Sequence, residues 1–285
     1  MIPVSIITDS TSDLSEELLK KYGISVLPLH IHLGDDEFID GVDITPDEIY
    51  IWSDRENKTP KTATFSPGEA VDFFKERLEE AKEIICFSIS GSMSASGSVM
   101  ALAAQELEAE DRIHVIDSKN LSTGTGLLII EAAEMANNGF SVNEIIERIE
   151  ALKPRVRASF VVDTLTYLHR GGRCSGVAAI AGSALKIHPY ISVVDGSMHP
   201  GKKYRGKMKK VFDEYVSDME EDLKRAEDSR VFVTYSGERD ETVEAVINRV
   251  KELGHFKEVL VTRAGSIISS HCGPGAMGVL FIAGE

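Results

Sequence analysis

The first half of the chain alternates short apolar runs with amphipathic stretches. The runs "VSIITDS", "EIICFSIS" and "IHVIDS" are rich in β-branched residues, which is typical of buried strands. Between the first two lies "SPGEAVDFFKERLEEAK", where Ser66 serves as N-cap, Pro67 takes the first helical position and Glu69 completes a capping box. Strands that alternate with helices predict a parallel sheet with helices on its faces.

Two segments after the first strand carry weaker signals. The stretch "DLSEELLKKYG" predicts a helix that opens at Asp13 as N-cap, with Glu16 three residues later, and closes at Gly23. The run "ISVLPLHIHL" predicts a single strand, in which Pro28 indicates a bulge or a sheet edge.

The pattern changes after about residue 157. Asp195-Gly196 stands between two strand-like runs in "ISVVDGSMHP", which predicts a type I′ hairpin. One long helix over about 206–226 follows, and further strands and a helix complete the chain. Hairpins mixed with helices predict an α+β arrangement. We therefore expect an α/β protein of two domains, an N-terminal parallel-sheet domain over 1–157 and a C-terminal α+β domain over 158–285.

The composition disfavours several classes of function. A net charge of −15 argues against nucleic-acid binding, which needs a dominant basic face, and against an anionic membrane surface. No apolar run approaches the roughly 20 residues of a membrane span, and "MIPVSIITDS" begins a strand at once, without a basic leader. Cys86, Cys174 and Cys272 show no CxxC spacing, so neither a disulfide framework nor a zinc knuckle is expected. We expect a soluble cytoplasmic protein.

Hydroxyl and small residues crowd the ends of several predicted strands. They lie in "TDSTSD" at 8–13, "KTATFSPG" at 61–68, "ISGSMSASGS" at 89–98 and "DSKNLSTGTG" at 117–126. Ligands of open parallel sheets bind beyond the carboxyl ends of the strands, and hydroxyls with helix N-terminal N–H groups suit an oxyanion. Each hydroxyl could instead cap its own helix, but several such loops on one edge favour a site. No phosphate-binding or complete dinucleotide motif occurs, so a nucleotide cofactor is disfavoured.

The second half supplies positive charge in two segments. "YLHRGGRCSG" places Arg170 at a predicted helix end and Arg173 just beyond it, and "GKKYRGKMKK" over 201–210 gathers lysines with Arg205. Contacts with helix carbonyls and a solvated helix start explain part of this charge. A docking patch for an acidic partner or a phosphate explains it equally well.

The pair His271-Cys272, before Gly-Pro-Gly near the C-terminus, has three interpretations. A Cys-His nucleophile is disfavoured, because adjacent residues of a strand-like segment point to opposite faces. A metal site lacks further ligands at recognisable spacing, so no metal is expected. We favour His271 as a polar anchor for a small acidic ligand, with Cys272 as a small buried hydrophobe.

Taken together, these segments resemble the DegV family of bacterial fatty-acid-binding proteins over essentially the whole chain. The resemblance is carried by the order and spacing of "TDSTSDL", "DGVDITPDEIY", "KTATFSPGE", "ISGSMSASGS", "DSKNLSTGTGLL", "YLHRGGR" and "SHCGPGAMG". It implies two domains with one acyl chain in the cleft between them, no cofactor and no catalytic residue. It also implies a partner acyl kinase that phosphorylates the bound carboxylate.

The resemblance also assigns roles to individual residues. The carboxylate contacts fall on Thr62 and Ser94, and Arg170 and His271 match the polar network around the same head group. We add Ser96, which with Ala95 stands where Gly-Thr is common in the family.

The resemblance also indicates a docking surface for the partner, and the chain departs from the family at two positions. Arg205 matches a position associated with the kinase encounter, and we extend the docking surface to Arg173 and Lys203. The chain departs from the family at Ala63 and Ala95, where the family usually has serine and glycine.

A protein that buries a fatty acid has to accommodate both the apolar tail and the carboxylate. Burying a tail of about 15 methylenes yields on the order of 10 kcal/mol, whereas an unpaired buried carboxylate costs several kcal/mol. A dry tunnel with hydrogen-bond donors at one end is therefore needed. The apolar segments 127–136 and 177–187 could line it, although core packing explains each of their residues as well.

Two rival functions stay open from the sequence alone. The chain could be a phosphotransferase or hydrolase that uses His271 or Ser94, with Asp9, Asp117 or Asp163 as acid/base partners. It could also be a sensor of lipid status with no kinase partner.

Overall fold

The computed structural model describes residues 2–174 and 187–284. Along the N-terminal part, up to residue 155, the elements in chain order are β1 (Ile2–Asp9), α1 (Glu16–Tyr22), β2 (Ile24–Leu27), β3 (His30–Leu33), β4 (Asp36–Ile39), α2 (Pro46–Glu56), β5 (Lys61–Ala63), α3 (Pro67–Glu80), β6 (Ala81–Ser88), α4 (Ser96–Glu106), β7 (Ile113–Asp117), α5 (Ser122–Asn137) and α6 (Val142–Leu152). Short 3₁₀ turns cover Ser10–Ser12 and Lys153–Arg155.

The C-terminal part begins at residue 156. Its described elements are β8 (Val156–Val161), α7 (Thr166–Gly171), β9 (Ile187–Val194), β10 (Ser197–Arg205), α8 (Met208–Asp218), α9 (Glu220–Lys224), β11 (Ala226–Tyr235), α10 (Glu241–Leu253), β12 (Glu258–Arg263), α11 (Ser266–Cys272) and β13 (Met277–Ala283). The predicted segment 177–186 lies outside the described residues.

The strands form three sheets that divide along the chain. The order β2-β1-β6-β7 makes a sheet that is parallel throughout, and β4-β3-β5 makes a small antiparallel sheet. The order β10-β9-β8-β13-β11-β12 makes a mixed sheet in which only β11 and β12 run parallel among the described pairs. The predicted α/β class, with a parallel sheet first and a mixed sheet second, is confirmed. The change of sheet falls at Val156, while the domain boundary at 157/158 stays a prediction.

The predicted capping box and the predicted hairpin turn are both confirmed. In α3, Ser66 Oγ accepts from Glu69 N at 3.3 Å and Glu69 Oε2 accepts from Ser66 N at 2.7 Å, which is the capping box. Asp195 and Gly196 have φ angles of 49° and 80°, and β9 and β10 pair antiparallel across them. Positive φ at both central residues is what a type I′ turn requires.

Three expectations for individual elements were wrong. Pro28 does not sit within one strand but separates β2, in the parallel sheet, from β3, in the antiparallel sheet, because its missing N–H ends the ladder. Helix α1 is capped by Ser15, whose Oγ accepts from Leu18 N at 3.3 Å, whereas Asp13 is buried with a φ of 53°. The long helix expected over 206–226 is two helices, α8 and α9.

Helix α5 joins the two parts, because it lies between the parallel sheet and the mixed sheet. It contacts β1 and β6 on one side and β8, β11 and β13 on the other. Its residues 122–130 are all buried, and Leu127 to Ile130 belong to a core cluster that also holds Phe160 and Leu280 of the mixed sheet. A helix that is apolar all round is expected where both faces are covered. No described helix combines the length and apolar character that crossing a bilayer requires.

Candidate functional site

A cavity of about 370 Å³ lies where the two parts meet. Its walls are mostly apolar and come from both parts, with Leu29, Ile89, Met93, Leu121, Leu168, Met198, Ile267 and Ile268 among them. Its polar lining is formed by Thr11, Thr62, Thr64, Ser94, Arg173 and His271. An apolar cavity with a few polar groups and a volume of a few hundred Å³ is typical of a small-molecule site.

A hydrogen bond joins Thr62 to His271 in the cavity wall. Thr62 lies on β5 and His271 in the last turn of α11, and Thr62 Oγ1 is 3.0 Å from His271 Nε2. The other ring nitrogen, Nδ1, is buried and has no hydrogen-bond partner among the described residues. Burial lowers the pKa of His271 to about 4, and the positive charge of Arg173 acts in the same direction. The imidazole is therefore neutral at pH 7.

Gly171 shapes the space beside His271. A Cβ built on Gly171 would lie 2.4 Å from His271 Nδ1, so the backbone of α7 approaches the ring too closely for any side chain. The two glycines of "YLHRGGR" have different roles. Gly172 serves as the C-cap with a φ of 69°, whereas Gly171 provides the close approach.

Ser94 faces the cavity from the loop that precedes α4. Its Oγ accepts from Ser96 N at 3.2 Å, which leaves its own O–H available as a donor. The N-cap residue of α4, Ala95, provides no side-chain cap, and Ser94 Oγ serves the first N–H of the helix instead.

Ser96 sits behind this loop and does not line the cavity. Its hydroxyl donates to Asp9 Oδ2 at 2.7 Å, and both residues are buried. Asp9 also accepts from Ile89 N at 3.0 Å and from Thr11 Oγ1 at 2.5 Å. The Asp9 carboxylate thus ties together two of the hydroxyl-rich loops. Burial raises the pKa of Asp9, which the hydrogen bonds partly offset.

The two arginines beside the glycines are placed differently. Arg173 lines the cavity, and its Nη1 donates to Gly171 O at 2.6 Å. Arg170 is exposed, and its Nη1 donates to Asn57 O at 3.4 Å, outside the described walls of the cavity. The structure therefore brings Thr62, Ser94, His271 and Arg173 to one cavity. A head-group role for Arg170 stays a prediction.

Sequence reasoning missed Thr64. This residue lines the same cavity, and its Oγ1 is buried with no hydrogen-bond partner within residues 2–174 and 187–284. Thr64 follows Thr62 at the alternating spacing of an extended chain, which places both side chains on one side. That spacing in "KTATFS" was the available signal.

The comparisons with known proteins cover essentially the whole chain. A family model described as "Uncharacterised protein, DegV family" matches residues 3–284. The chain belongs to the DegV family. A DegV domain-containing protein of Caldanaerobacter subterraneus is 34% identical over 283 residues, covering 99% of each chain.

Solved DegV structures share the fold over the full length. One, described as fatty acid binding of a DegV family protein from Thermus thermophilus, has a TM-score of 0.87 and 31% identity, covering 99% of this chain and 100% of that chain. Another, a stearic-acid-binding protein from Eubacterium ventriosum, has a TM-score of 0.84 and 29% identity, covering 99% and 98%.

The remaining predicted residues of this DegV chain lie away from the polar wall. Lys203 and Arg205 are exposed on β10, the edge strand of the mixed sheet, whose Met198 lines the cavity. Arg205 is seven positions beyond Met198 along the strand, which is on the order of 20 Å. Leu127 to Ile130, considered for the tunnel, pack in the core instead.

The argument against a Cys-His nucleophile assumed a strand-like segment, but residues Ser266–Cys272 form helix α11. His271 and Cys272 both lie on α11, where neighbouring residues point about 100° apart, and both line the cavity. Burial raises the pKa of Cys272 to about 12, so its thiol is not a nucleophile at neutral pH. Asp9, Asp117 and Asp163 are not among the described lining residues, and Asp117 pairs with Lys119 at 2.9 Å.

A second, smaller cavity of about 30 Å³ adjoins the main one. It shares Leu121, Ile268 and Cys272 with the main cavity, and Phe160 and Leu280 of the mixed sheet add to its apolar wall. The shared residues form a partition between the two spaces.

Proposed function

We propose that this DegV protein binds one long-chain fatty acid between its two parts and presents the carboxylate to a partner acyl kinase, without catalysing a reaction itself. The observation that carries the proposal is the cavity, whose apolar walls adjoin the polar group of Thr62, Thr64, Ser94, Arg173 and His271. The fatty acids bound by relatives of the same fold support the choice of ligand. The protein would act in the cytoplasm, where its kinase and ATP are found.

The polar wall can meet a carboxylate through hydroxyl donors. For Thr62 to donate to the ligand, its oxygen must accept from His271 Nε2–H, 3.0 Å away. The neutral imidazole then carries its proton on Nε2, and Nδ1, which has no partner, is an unused acceptor. Ser94 and Thr64 supply two further hydroxyls, and Thr64 stands beside Ala63, where the family's serine is absent.

Arg173 would supply the compensating charge that the sequence assigned to Arg170. A hydrogen bond to a charged group contributes about 1.5–3 kcal/mol, and an unpaired buried carboxylate would cancel part of the gain from the tail. Arg173 is exposed on its other side, so the carboxylate end lies near solvent. A kinase needs such access to phosphorylate the head group.

The tail would extend away from the polar wall, between Leu121 and Ile268. The partition at Leu121, Ile268 and Cys272 separates the main cavity from the smaller apolar one. Rotation of these side chains would join the two spaces for a longer chain. Each buried CH₂ contributes about 0.8 kcal/mol, so a continuous tunnel favours long acids.

Native mass spectrometry with lipid extraction tests the ligand. We expect one acyl chain per protein, and Thr62→Val to weaken binding of the acid at least about tenfold while binding of its methyl ester changes little. Thr242→Val, the same change on α10 outside the cavity, is the control. Purified protein that carries no acyl chain and gains no thermal stability from added fatty acids would refute the proposal.

Kinase assays test the presentation step. ATP-dependent formation of acyl phosphate should require both this protein and a cell extract that contains the kinase. Lys203→Glu with Arg205→Glu should lower the rate, because rim charges steer association, whereas Lys251→Glu on α10 should not. An unchanged rate in the double variant would favour the sensor function. Turnover by the protein alone, lost in His271→Ala while lipid binding persists, would favour the enzyme.

A further inference from the structure

Helix α11 belongs to the C-terminal part by sequence but is packed into the N-terminal part. It has seven residues, about 10 Å, and a helix this short is not stable by itself. Ile267 packs in a core cluster with Ile7, Ile31 and Ile44, and among the described buried members of that cluster it is the one from the C-terminal part. The position of α11 is therefore set by what holds it against the N-terminal part.

Two carboxylates hold the first turn of α11. Asp13 Oδ1 accepts from Gly265 N at 2.8 Å, and Asp40 Oδ1 accepts from Ser266 N at 3.0 Å. Ser266 Oγ also donates to Ile44 O at 3.3 Å. Gly265, the N-cap, has no side chain to cap the first turn, and these two backbone N–H groups depend on acceptors more than 200 residues away in sequence.

Gly265 lies close to both carboxylates, so an added Cβ would crowd Asp13. A Cβ built there would lie 3.2 Å from Asp13 Oδ1 and 3.8 and 3.9 Å from the Asp40 carboxylate oxygens. Both carboxylates thus converge on one backbone position. Asp13 additionally accepts from Ser122 Oγ at the start of α5, so it fixes α11 to the element that separates the two sheets.

The charge of the Asp13–Asp40 pair is favourable for holding the N-terminus of α11. Burial raises the pKa of Asp13 to about 8, with the hydrogen bonds from Ser122 and Gly265 opposing and the Asp40 carboxylate adding to the rise. Burial raises the pKa of Asp40 to about 6. At neutral pH the pair therefore carries close to one negative charge, which the N-terminal N–H groups of α11 stabilise.

The opposite end of α11 carries His271. Ser270 Oγ donates to Ser266 O at 2.7 Å, which ties the last turn to the first. A displacement of the first turn therefore moves the whole helix as a unit. The Thr62–His271 hydrogen bond at the last turn would change with it.

We propose that Asp13 and Asp40 are positioning residues, which hold α11 so that His271 orients the Thr62 hydroxyl toward a bound carboxylate. This inference rests on the proposed function, since it concerns the same cavity. Neither aspartate is among the cavity-lining residues, so their effect on the ligand passes through α11.

Asp40→Asn tests the inference by comparing a fatty acid with its methyl ester. The amide keeps the shape but loses the charge at the helix N-terminus. We expect the affinity for oleate to fall about tenfold and that for methyl oleate to change by less than about twofold. Glu134→Gln is the matched control, because Glu134 accepts from Arg230 at 2.6 Å across the two parts without contacting α11. It should leave the acid-to-ester ratio unchanged.

Combining Asp40→Asn with His271→Ala distinguishes a role in positioning His271 from a general loss of protein stability. In a His271→Ala background, Asp40→Asn should no longer change the acid-to-ester ratio. Equal losses for oleate and methyl oleate, no change for either, or a persistent effect in the His271→Ala background would each overturn the inference. If Asp40→Asn does not fold, Asp13→Ser removes the acceptor of Gly265 N and is measured in the same way.

Nitrogen NMR of the His271 ring tests positioning without any ligand. The Thr62 hydrogen bond determines the Nε2 shift, which should change in Asp40→Asn and stay constant in Glu134→Gln. An unchanged Nε2 shift in a folded Asp40→Asn variant would overturn the inference. Failure of the wild-type protein to bind oleate would refute the proposed function instead, and the shift would still decide the positioning of His271.

Discussion

The polar groups behind the cavity and those on its wall differ in their partners. Behind it, Asp9 accepts hydrogen bonds from Ser96, Thr11 and the backbone of Ile89. On the wall, Thr64 Oγ1 and His271 Nδ1 are buried without a partner in the part of the chain that the structure describes. An unsatisfied buried group costs about 1–3 kcal/mol, so native proteins seldom keep one without a use.

This difference in hydrogen bonding distinguishes the polar groups that support the fold from those that can bind a ligand. The satisfied groups hold the hydroxyl-rich loops in place and contribute to folding. The unsatisfied groups reduce stability and are available to a ligand. Substitutions in the first set should therefore affect stability, and substitutions in the second should affect binding.

The largest expected effect is that of Asp9→Leu. It leaves the Ser96 hydroxyl and the Ile89 N–H without their acceptor, so we expect a loss of unfolding free energy on the order of 3 kcal/mol or more. Chemical denaturation measures it. Asp9→Asn, which keeps one of the two acceptor oxygens, should cost less than Asp9→Leu. A stable Asp9→Leu protein would contradict the scaffold role.

The next effect concerns pH and the buried Asp13. Its pKa is raised from 3.8 to about 8, so its contribution to stability is fully present below pH 3.8 and is lost as pH rises through 8. Relative to Asp13→Asn, the wild type should lose stability by up to about 1.4 kcal/mol per pH unit in this window. Denaturation midpoints at several pH values measure the difference, and parallel curves for the two proteins would contradict the raised pKa.

Gly171→Ala should have a moderate effect on binding without removing any polar group. Its methyl would lie 2.4 Å from His271 Nδ1 and would displace the ring from Thr62. We expect affinity for a fatty acid to fall about tenfold, as for loss of one good hydrogen bond to a charged group. Titration calorimetry measures it, with Gly68→Ala, which meets no atom within 4 Å, as the control. Equal affinities would show that the ring adjusts without consequence.

The smallest effect is that of Thr64→Val, and it has opposite signs for folding and binding. Removing an unpartnered hydroxyl should leave the free energy of unfolding unchanged or slightly higher without ligand. Affinity for a fatty acid should fall by about 1 kcal/mol, roughly fivefold. Denaturation and calorimetry on one preparation measure both. A clear loss of stability in the ligand-free protein would place Thr64 with the scaffold.

Much of the fold was predictable because its signals are local. The capping box of Ser66 and Glu69 and the turn at Asp195-Gly196 involve residues within three positions of each other, so their geometry follows from the sequence itself. Local signals also misled. Asp13 has the spacing of an N-cap, but its carboxylate is used by Gly265, 252 residues away.

The candidate site was predictable only in part, because packing decides which of the polar residues reach the cavity. The order of motifs pointed to Thr62, Ser94 and His271, which the fold brings to one cavity. Arg170 and Arg173 are equivalent as charges in the sequence, and only the packing of α7 against α11 puts Arg173 on the wall.

The sequence by itself determined the alternation of strands and helices, the turns and the set of polar residues near the strand ends, because each depends on neighbours along the chain. The tertiary structure decided which of those residues are satisfied and which face the cavity. That choice depends on partners far apart in sequence, such as Asp40 with Ser266 and Thr62 with His271, which only the packed fold brings within hydrogen-bond distance.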